Sequence, residues 1–235
     1  MVQQYQFLSD YLQDLSDQLA HRLESSRAGF TPYTRIYGNQ PREDNGDRCL
    51  QFPGTKCRYY VVLCDGMGTG LGAVREGRAA GTMLQRLLTA GYPAQYALRS
   101  LNSLCALRER AGAVTVDLLE LELDTGRGTL YKWGAAPSYL VTKLGVDKLG
   151  VPSPPPGLSV IDSREHVQKV SLRRGELLVM VSDGLGQEEV MHCCRVMAGT
   201  TPGELGAALL AGSRVGASDD ATVVLVRLDA DCTVI

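Results

Sequence analysis

The chain has no apolar run longer than about five residues, against the roughly 20 that a membrane-spanning helix needs, so no segment of it reads as a membrane anchor. It has no surplus of either charge. With 24 Lys and Arg against 26 Asp and Glu, and a formal net charge of −2, nothing electrostatic favours nucleic acid or an anionic membrane as the main partner. The seven cysteines are odd in number and lack Cys-x-x-Cys spacing, and Met1-Val2-Gln3-Gln4 opens no charged-then-apolar leader; the expectation is a reducing, cytoplasmic setting. Adjacent Cys193 and Cys194 beside His192 cannot chelate as spaced zinc ligands do, and read as ordinary, partly buried thiols. There is no internal repeat. What remains is 235 residues, 44% of them hydrophobic, enough to bury one large domain or a domain with an arm.

Residues 5 to 26 carry Leu8, Leu12, Leu15, Leu19 and Leu23 between polar residues, one apolar helical stripe that must pack on something. The expectation is an N-terminal helical arm over residues 1–28, docked on the core or dimerising or regulatory, followed by a single domain over 29–235. Ala28 to Asp47 should be loop and edge strand. Tyr59 to Cys64 reads as a buried strand leading through a glycine cluster into a helix over Ala73 to Thr89, with a second helix over Ala94 to Arg108. Val114 to Leu123 and Gly128 to Thr142 bracket the turn residues Asp124-Thr125-Gly126-Arg127 and read as a hairpin. The proline-rich stretch Val151 to Gly157 should cross the surface. Leu177 to Ser182 and Thr222 to Leu228 read as strands, with helices over Glu188 to Met197 and Pro202 to Ser213 between them. Strands and helices segregated in this way predict an α+β build rather than βαβ alternation.

Four aspartates stand against strand-like runs: Asp47 in Asp44-Asn45-Gly46-Asp47, Asp65 in Val61-Val62-Leu63-Cys64-Asp65-Gly66-Met67-Gly68, Asp183 in Val179-Met180-Val181-Ser182-Asp183-Gly184, and Asp219 in Ser218-Asp219-Asp220-Ala221-Thr222. An apolar run ending in an acid and a glycine holds a carboxylate at a sheet rim where it stays accessible. Taken singly, each is as readily a turn former, and Asp44, Asp124 and Asp162 are read that way. Taken together, carboxylates without matching His or thiolate ligands favour hard cations such as Mg²⁺ or Mn²⁺. Two such ions clamp phosphate oxygens and activate water for phosphoryl displacement without a covalent nucleophile.

The order and wording of these segments resemble the type 2C metal-dependent protein phosphatases, most closely their bacterial SpoIIE-type branch. Gly46-Asp47, Asp65-Gly66-Met67-Gly68-Thr69-Gly70, Gly134-Ala135-Ala136-Pro137-Ser138, Ser182-Asp183-Gly184 and Asp219-Asp220-Ala221-Thr222-Val223-Val224 carry the resemblance, over about residues 40 to 229. It implies a four-layer αββα sandwich of two antiparallel sheets flanked by helices, with a dinuclear Mn²⁺ or Mg²⁺ centre in a cleft at one end. It further implies that Asp47 and Asp65 bind or bridge the ions, that the Gly66 carbonyl binds one of them, and that Asp183 and Asp219 complete the set. The implied activity is hydrolysis of phosphoserine or phosphothreonine on a bacterial regulatory protein, such as an anti-anti-sigma factor in sporulation or stress signalling. Met67 stands where eukaryotic members have a histidine, so no side-chain proton donor is evident, and Arg42 is the candidate phosphate contact.

Two other readings compete. Gly68-Thr69-Gly70-Leu71-Gly72-Ala73 also fits a dinucleotide fingerprint, but Leu87 to Pro93 supplies neither the second strand nor the acid that the fingerprint expects. A catalytically silent, phosphatase-shaped binding module would be marked by loss of a metal aspartate, and all four principal positions are filled.

Overall fold

A computed structural model describes residues 29–38, 45–68, 70–107, 114–158, 167–213 and 220–230. The leucine stripe of the N-terminal arm, Arg42 and Asp219 lie outside the described residues. Among the described residues, ten strands form two five-stranded sheets. The first holds β2 (Asp47–Pro53), β3 (Arg58–Gly66), β4 (Val114–Glu122), β5 (Arg127–Trp133) and β8 (Val167–Ser171), in that spatial order. The second runs β1 (Phe30–Gly38), β10 (Thr222–Ala230), β9 (Leu177–Val181), β6 (Ser138–Thr142) and β7 (Gly145–Leu149). All the strand pairings within the two sheets are antiparallel.

The period-two alternation of side chains explains the layering. On β3, Val61 and Leu63 turn to one face and Tyr60, Val62 and Cys64 to the other; on β10, Val224, Val226 and Leu228 oppose Val223 and Leu225. Both faces of these central strands are apolar, so both must be covered. Val61, Leu63, Leu119 and Leu130 of the first sheet meet Leu178, Met180, Val224 and Val226 of the second in one inter-sheet core. Helices α1 (Leu71–Thr89) and α2 (Ala94–Ala106) cover the outer face of the first sheet through Leu84, Leu88, Leu98 and Leu101. Helices α3 (Gln187–Val196) and α4 (Pro202–Ser213) cover the second through Val190, Cys194, Leu205 and Leu209. The result is the expected four-layer αββα sandwich.

Two details differ from the sequence reading. The run Gly128 to Thr142 is not one strand: β5 ends at Trp133, residues 134–137 cross between the sheets, and β6 begins at Ser138 in the other sheet. The β4–β5 hairpin around Asp124 to Arg127 does form. Strands β7 and β8 are additional outer strands; three of the five β7 residues are exposed and none of the five β8 residues is buried, so they lack the apolar signal by which buried strands are read.

Candidate metal centre

The same alternation builds the site. On β2 and β3, the residues that share the inter-sheet face with Cys49, Val61 and Leu63 include Asp47 and Asp65, at the end of the layer where the apolar side chains stop. They are direct register partners, and Asp65 in turn pairs with Thr115 on β4. From the opposite sheet, parity turns Ser182, next after β9, and Thr222, first in β10, toward the same gap. Asp183 follows Ser182 at the exposed turn before α3.

Hydrogen bonds tie these segments across the gap. Asn45 folds into an Asx turn, its Oδ1 accepting the Asp47 amide at 2.7 Å, while its Nδ2 reaches Thr222 Oγ1 at 3.5 Å. The Gly46 amide donates to Asp220 Oδ2 at 2.6 Å. Thr222 donates its amide to Ser182 Oγ at 2.8 Å, and its carbonyl accepts the Ser182 amide at 3.0 Å. Gly66 donates its amide to the Gly46 carbonyl at 3.3 Å. Each aspartate segment present here is thus bound to another by backbone or short side chains, which fixes position without long flexible stems.

Helix α1 closes the back of this arrangement by approaching the strands very closely. A Cβ at residue 66 would stand 2.7 Å from the Ala73 carbonyl carbon, and one at Gly77 would strike the Gly46 carbonyl. Glycine at 66 is therefore required by the helix packed behind it as well as by any ligand in front. The connection that starts α1 carries Gly68 at φ 91° and Gly70 at φ 77°, left-handed conformations that cost a side chain dearly. Met67 and Leu71 flank it, both exposed.

Electrostatically, Asp47 is the anomalous residue. It is 8% exposed, and neither carboxylate oxygen has a hydrogen-bond partner among the described residues. Burial pushes its carboxyl up to about 6; the nearby Ser182 and Thr222 hydroxyls oppose that rise and the Asp220 charge adds to it. A buried, unpartnered carboxylate is costly. Its neighbours Asp65, Asp183 and Asp220 add only oxygen donors, so the donor chemistry of this end fits a hard divalent cation and not zinc.

The structure brings Asp47, Asp65, Gly66 and Asp183 to one end of the inter-sheet layer, and Asp65 and Asp183 line the same small cavity. Among the described residues, no three His, Cys, Asp or Glu side chains stand close enough to share one ion; Asp219 is outside them. Sequence reasoning alone does not single out Asn45 or Asp220. Asp220 sits beside the expected ligand Asp219 and holds the Gly46 turn, and the Asn-Gly of Asp44-Asn45-Gly46-Asp47 is the available signal for Asn45.

Comparison with known proteins bears on the family and the fold. The family described as Stage II sporulation protein E (SpoIIE) matches residues 55–229. The chain is 30% identical over 186 residues to Stage II sporulation protein E of Bacillus subtilis (strain 168), an alignment covering 73% of this chain and 22% of that protein. The chain therefore spans about a fifth of the length of this relative. The solved structure of the PP2C phosphatase domain with a fragment of the regulatory domain of SpoIIE from B. subtilis superimposes with a TM-score of 0.75 at 26% identity, covering 88% of this chain and 65% of that one. RsbX in complex with magnesium superimposes at 0.67, with 16% identity, over 87% of this chain and 98% of that one, a likeness of fold. The chain belongs to the SpoIIE family and carries the PP2C-type phosphatase fold.

Proposed function

We propose that this chain hydrolyses phosphoserine or phosphothreonine on a protein, using two Mn²⁺ or Mg²⁺ ions held by Asp47, Asp65, Asp183, Asp219 and the Gly66 carbonyl. The observation that carries this reading is the buried Asp47 carboxylate, unpartnered among the described residues and pushed up to about 6, set in register beside Asp65. When bound, a pair of divalent cations supplies charge neutralisation for the phosphoryl group and acidification of water. The chain's own residues hold the carboxylates: Asn45 sets the Asp47 backbone, Asp220 sets Gly46, and Ser182 and Thr222 lock the ends of β9 and β10 together. Met67, exposed at the rim, offers no proton to a leaving serine oxygen, so that proton comes from solvent. Arg42 is the proposed phosphate contact.

The substrate is proposed from the family relation: a small phosphorylated regulatory protein of the anti-anti-sigma class, in the cytoplasm. Two measurements test the reading. Metal-stripped protein should release no phosphate from a chromogenic phosphomonoester and regain activity with Mn²⁺. A phosphoserine anti-anti-sigma protein from the same genome should then be consumed far faster than unrelated phosphopeptides. Equal slow turnover of all of them would refute a dedicated partner, and absence of any Mn²⁺-dependent release would refute the phosphatase.

A further inference from the structure

Among the described residues, the layer between the sheets holds a pair of opposite charges that the proposed reaction does not use. Asp117 on β4 and Lys132 on β5 are register partners, and parity turns both inward, where their neighbours along the sheets are Leu, Val and Met. Their side chains are 1% and 2% exposed. Lys132 Nζ donates to Asp117 Oδ2, to the Ala136 carbonyl at 2.6 Å and to Ser138 Oγ at 2.7 Å. Ser138 Oγ donates back to Asp117 Oδ2 at 3.0 Å. Three acceptors for three N–H bonds saturate an ammonium.

These contacts have a specific location. Lys132 stands two residues before the 134–137 crossover and reaches forward to Ala136 and to Ser138 just beyond it, so one side chain ties down the passage from sheet to sheet. Ser153 ties the same passage from outside, accepting the Gly134 amide at 3.1 Å and donating to the Lys132 carbonyl at 2.7 Å. The crossover backbone of Gly134 to Ala136 then forms one wall of a cavity of about 10 Å³, whose other walls include Asp65, Thr115, Asp117, Ser182 and Asp183. That is room for about one water molecule. Asp117 Oδ1 is buried with no partner among the described residues. Two apolar residues would hold the sheets together at least as well as a buried ion pair, but they could not hold the Ala136 carbonyl.

We propose that Lys132, neutralised by Asp117, is a positioning residue for the metal centre: it fixes the 134–137 crossover as the wall against which Asp65 and Asp183 are set. This rests on the reading of those aspartates as metal ligands. Lys132→Met alone would leave Asp117 charged and buried, and so would confuse stability with positioning. The informative protein is the double variant Asp117→Leu, Lys132→Met, which removes both charges and puts apolar side chains of similar length in their place. It should melt within a few degrees of wild type, yet bind Mn²⁺ by calorimetry about tenfold or more weakly, as loss of residues that orient ligands does. Its kcat at saturating Mn²⁺ should fall by a similar factor, with KM for a phosphopeptide unchanged. A folded double variant with wild-type Mn²⁺ affinity and kcat would overturn the proposal.

A measurement on the unmodified protein stands beside it. In ¹⁵N-lysine-edited NMR with Mg²⁺ titration, the Lys132 ammonium signal should shift along the same saturation curve as the Asp65 and Asp183 amides, because coupling between sites is reciprocal. Movement of those amides with a stationary Lys132 signal would overturn the positioning role while leaving the metal reading intact. If Mg²⁺ moves none of them, the metal reading fails and this inference fails with it.

Discussion

Asparagine at position 47 should stabilise the protein when no metal is bound and weaken it, relative to wild type, when metal is. The Asp47 carboxyl is pushed up from 3.8 to about 6, first by burial. An acid whose folded pKa is raised binds its proton more tightly in the folded chain than in the unfolded one. Stability is therefore fully present below the unfolded value and is lost as pH rises from about 3.8 to about 6. At 1.36 kcal/mol per pKa unit the loss is about 3 kcal/mol, complete by neutral pH. Asparagine carries no charge and escapes that loss. In EDTA, Asp47→Asn and wild type should melt with a nearly pH-independent difference below pH 4. The variant should then gain progressively, by up to about 10 °C near pH 7, since 1 kcal/mol moves a domain of this size by about 2–4 °C. With saturating Mn²⁺ the order should reverse, because the ion stabilises the form that binds it. The assay is a set of thermal melts of both proteins from about pH 3 to about pH 7.5, with EDTA and with Mn²⁺. If the metal-free variant tracks wild type across that range, or loses ground as pH rises, the charge on Asp47 is not the burden described here.

Asp183 is exposed at a turn, so Asp183→Asn should leave urea stability within about 0.5 kcal/mol while abolishing phosphate release; retained turnover would remove it from the site. Asp220→Ala deletes the acceptor of the buried Gly46 amide and should cost about 1–3 kcal/mol in urea unfolding, with Mn²⁺ binding weakened in parallel; an unchanged midpoint would show that the turn stands without it. Gly66→Ala drives a methyl group against the Ala73 carbonyl, and the overpacking should cost about 1–3 kcal/mol even in EDTA, a loss that the packing account fails without.

How far the sequence reveals this molecule depends on which face a strand presents. The strands β3, β9 and β10 are apolar on both faces and are legible as continuous runs, each with an acid at or near one end, so the amino-acid pattern alone places Asp65 and Asp183 at sheet rims. Asp47 is legible from the turn residues that precede it. Helices α1 and α2 are legible from their leucine spacing to within a few residues. Lys132 and Asp117 are not, because a charged residue in an alternating strand looks like the solvent face unless the partner sheet is known. The break at residues 134–137 is hidden for a related reason: Gly134 and Pro137 are visible punctuation, but β-rich sequence continues on both sides, and only the pairing shows that the two halves belong to different sheets. The resemblance gives the Gly66 carbonyl a place at an ion, whereas the structure shows that helix α1 alone already excludes a side chain there.

The central claim, that the aspartates at the end of the inter-sheet layer serve a metal-dependent phosphatase reaction, is tested most directly by phosphate release from a phosphoserine peptide. The comparison is between wild type and Asp65→Asn, each stripped with a chelator and then given Mn²⁺ in increasing amounts. Wild type should be silent after stripping and recover fully with Mn²⁺, while Asp65→Asn, folded by circular dichroism, stays silent throughout. Wild-type turnover that survives chelation, or near-normal Mn²⁺-dependent turnover by Asp65→Asn, would contradict it.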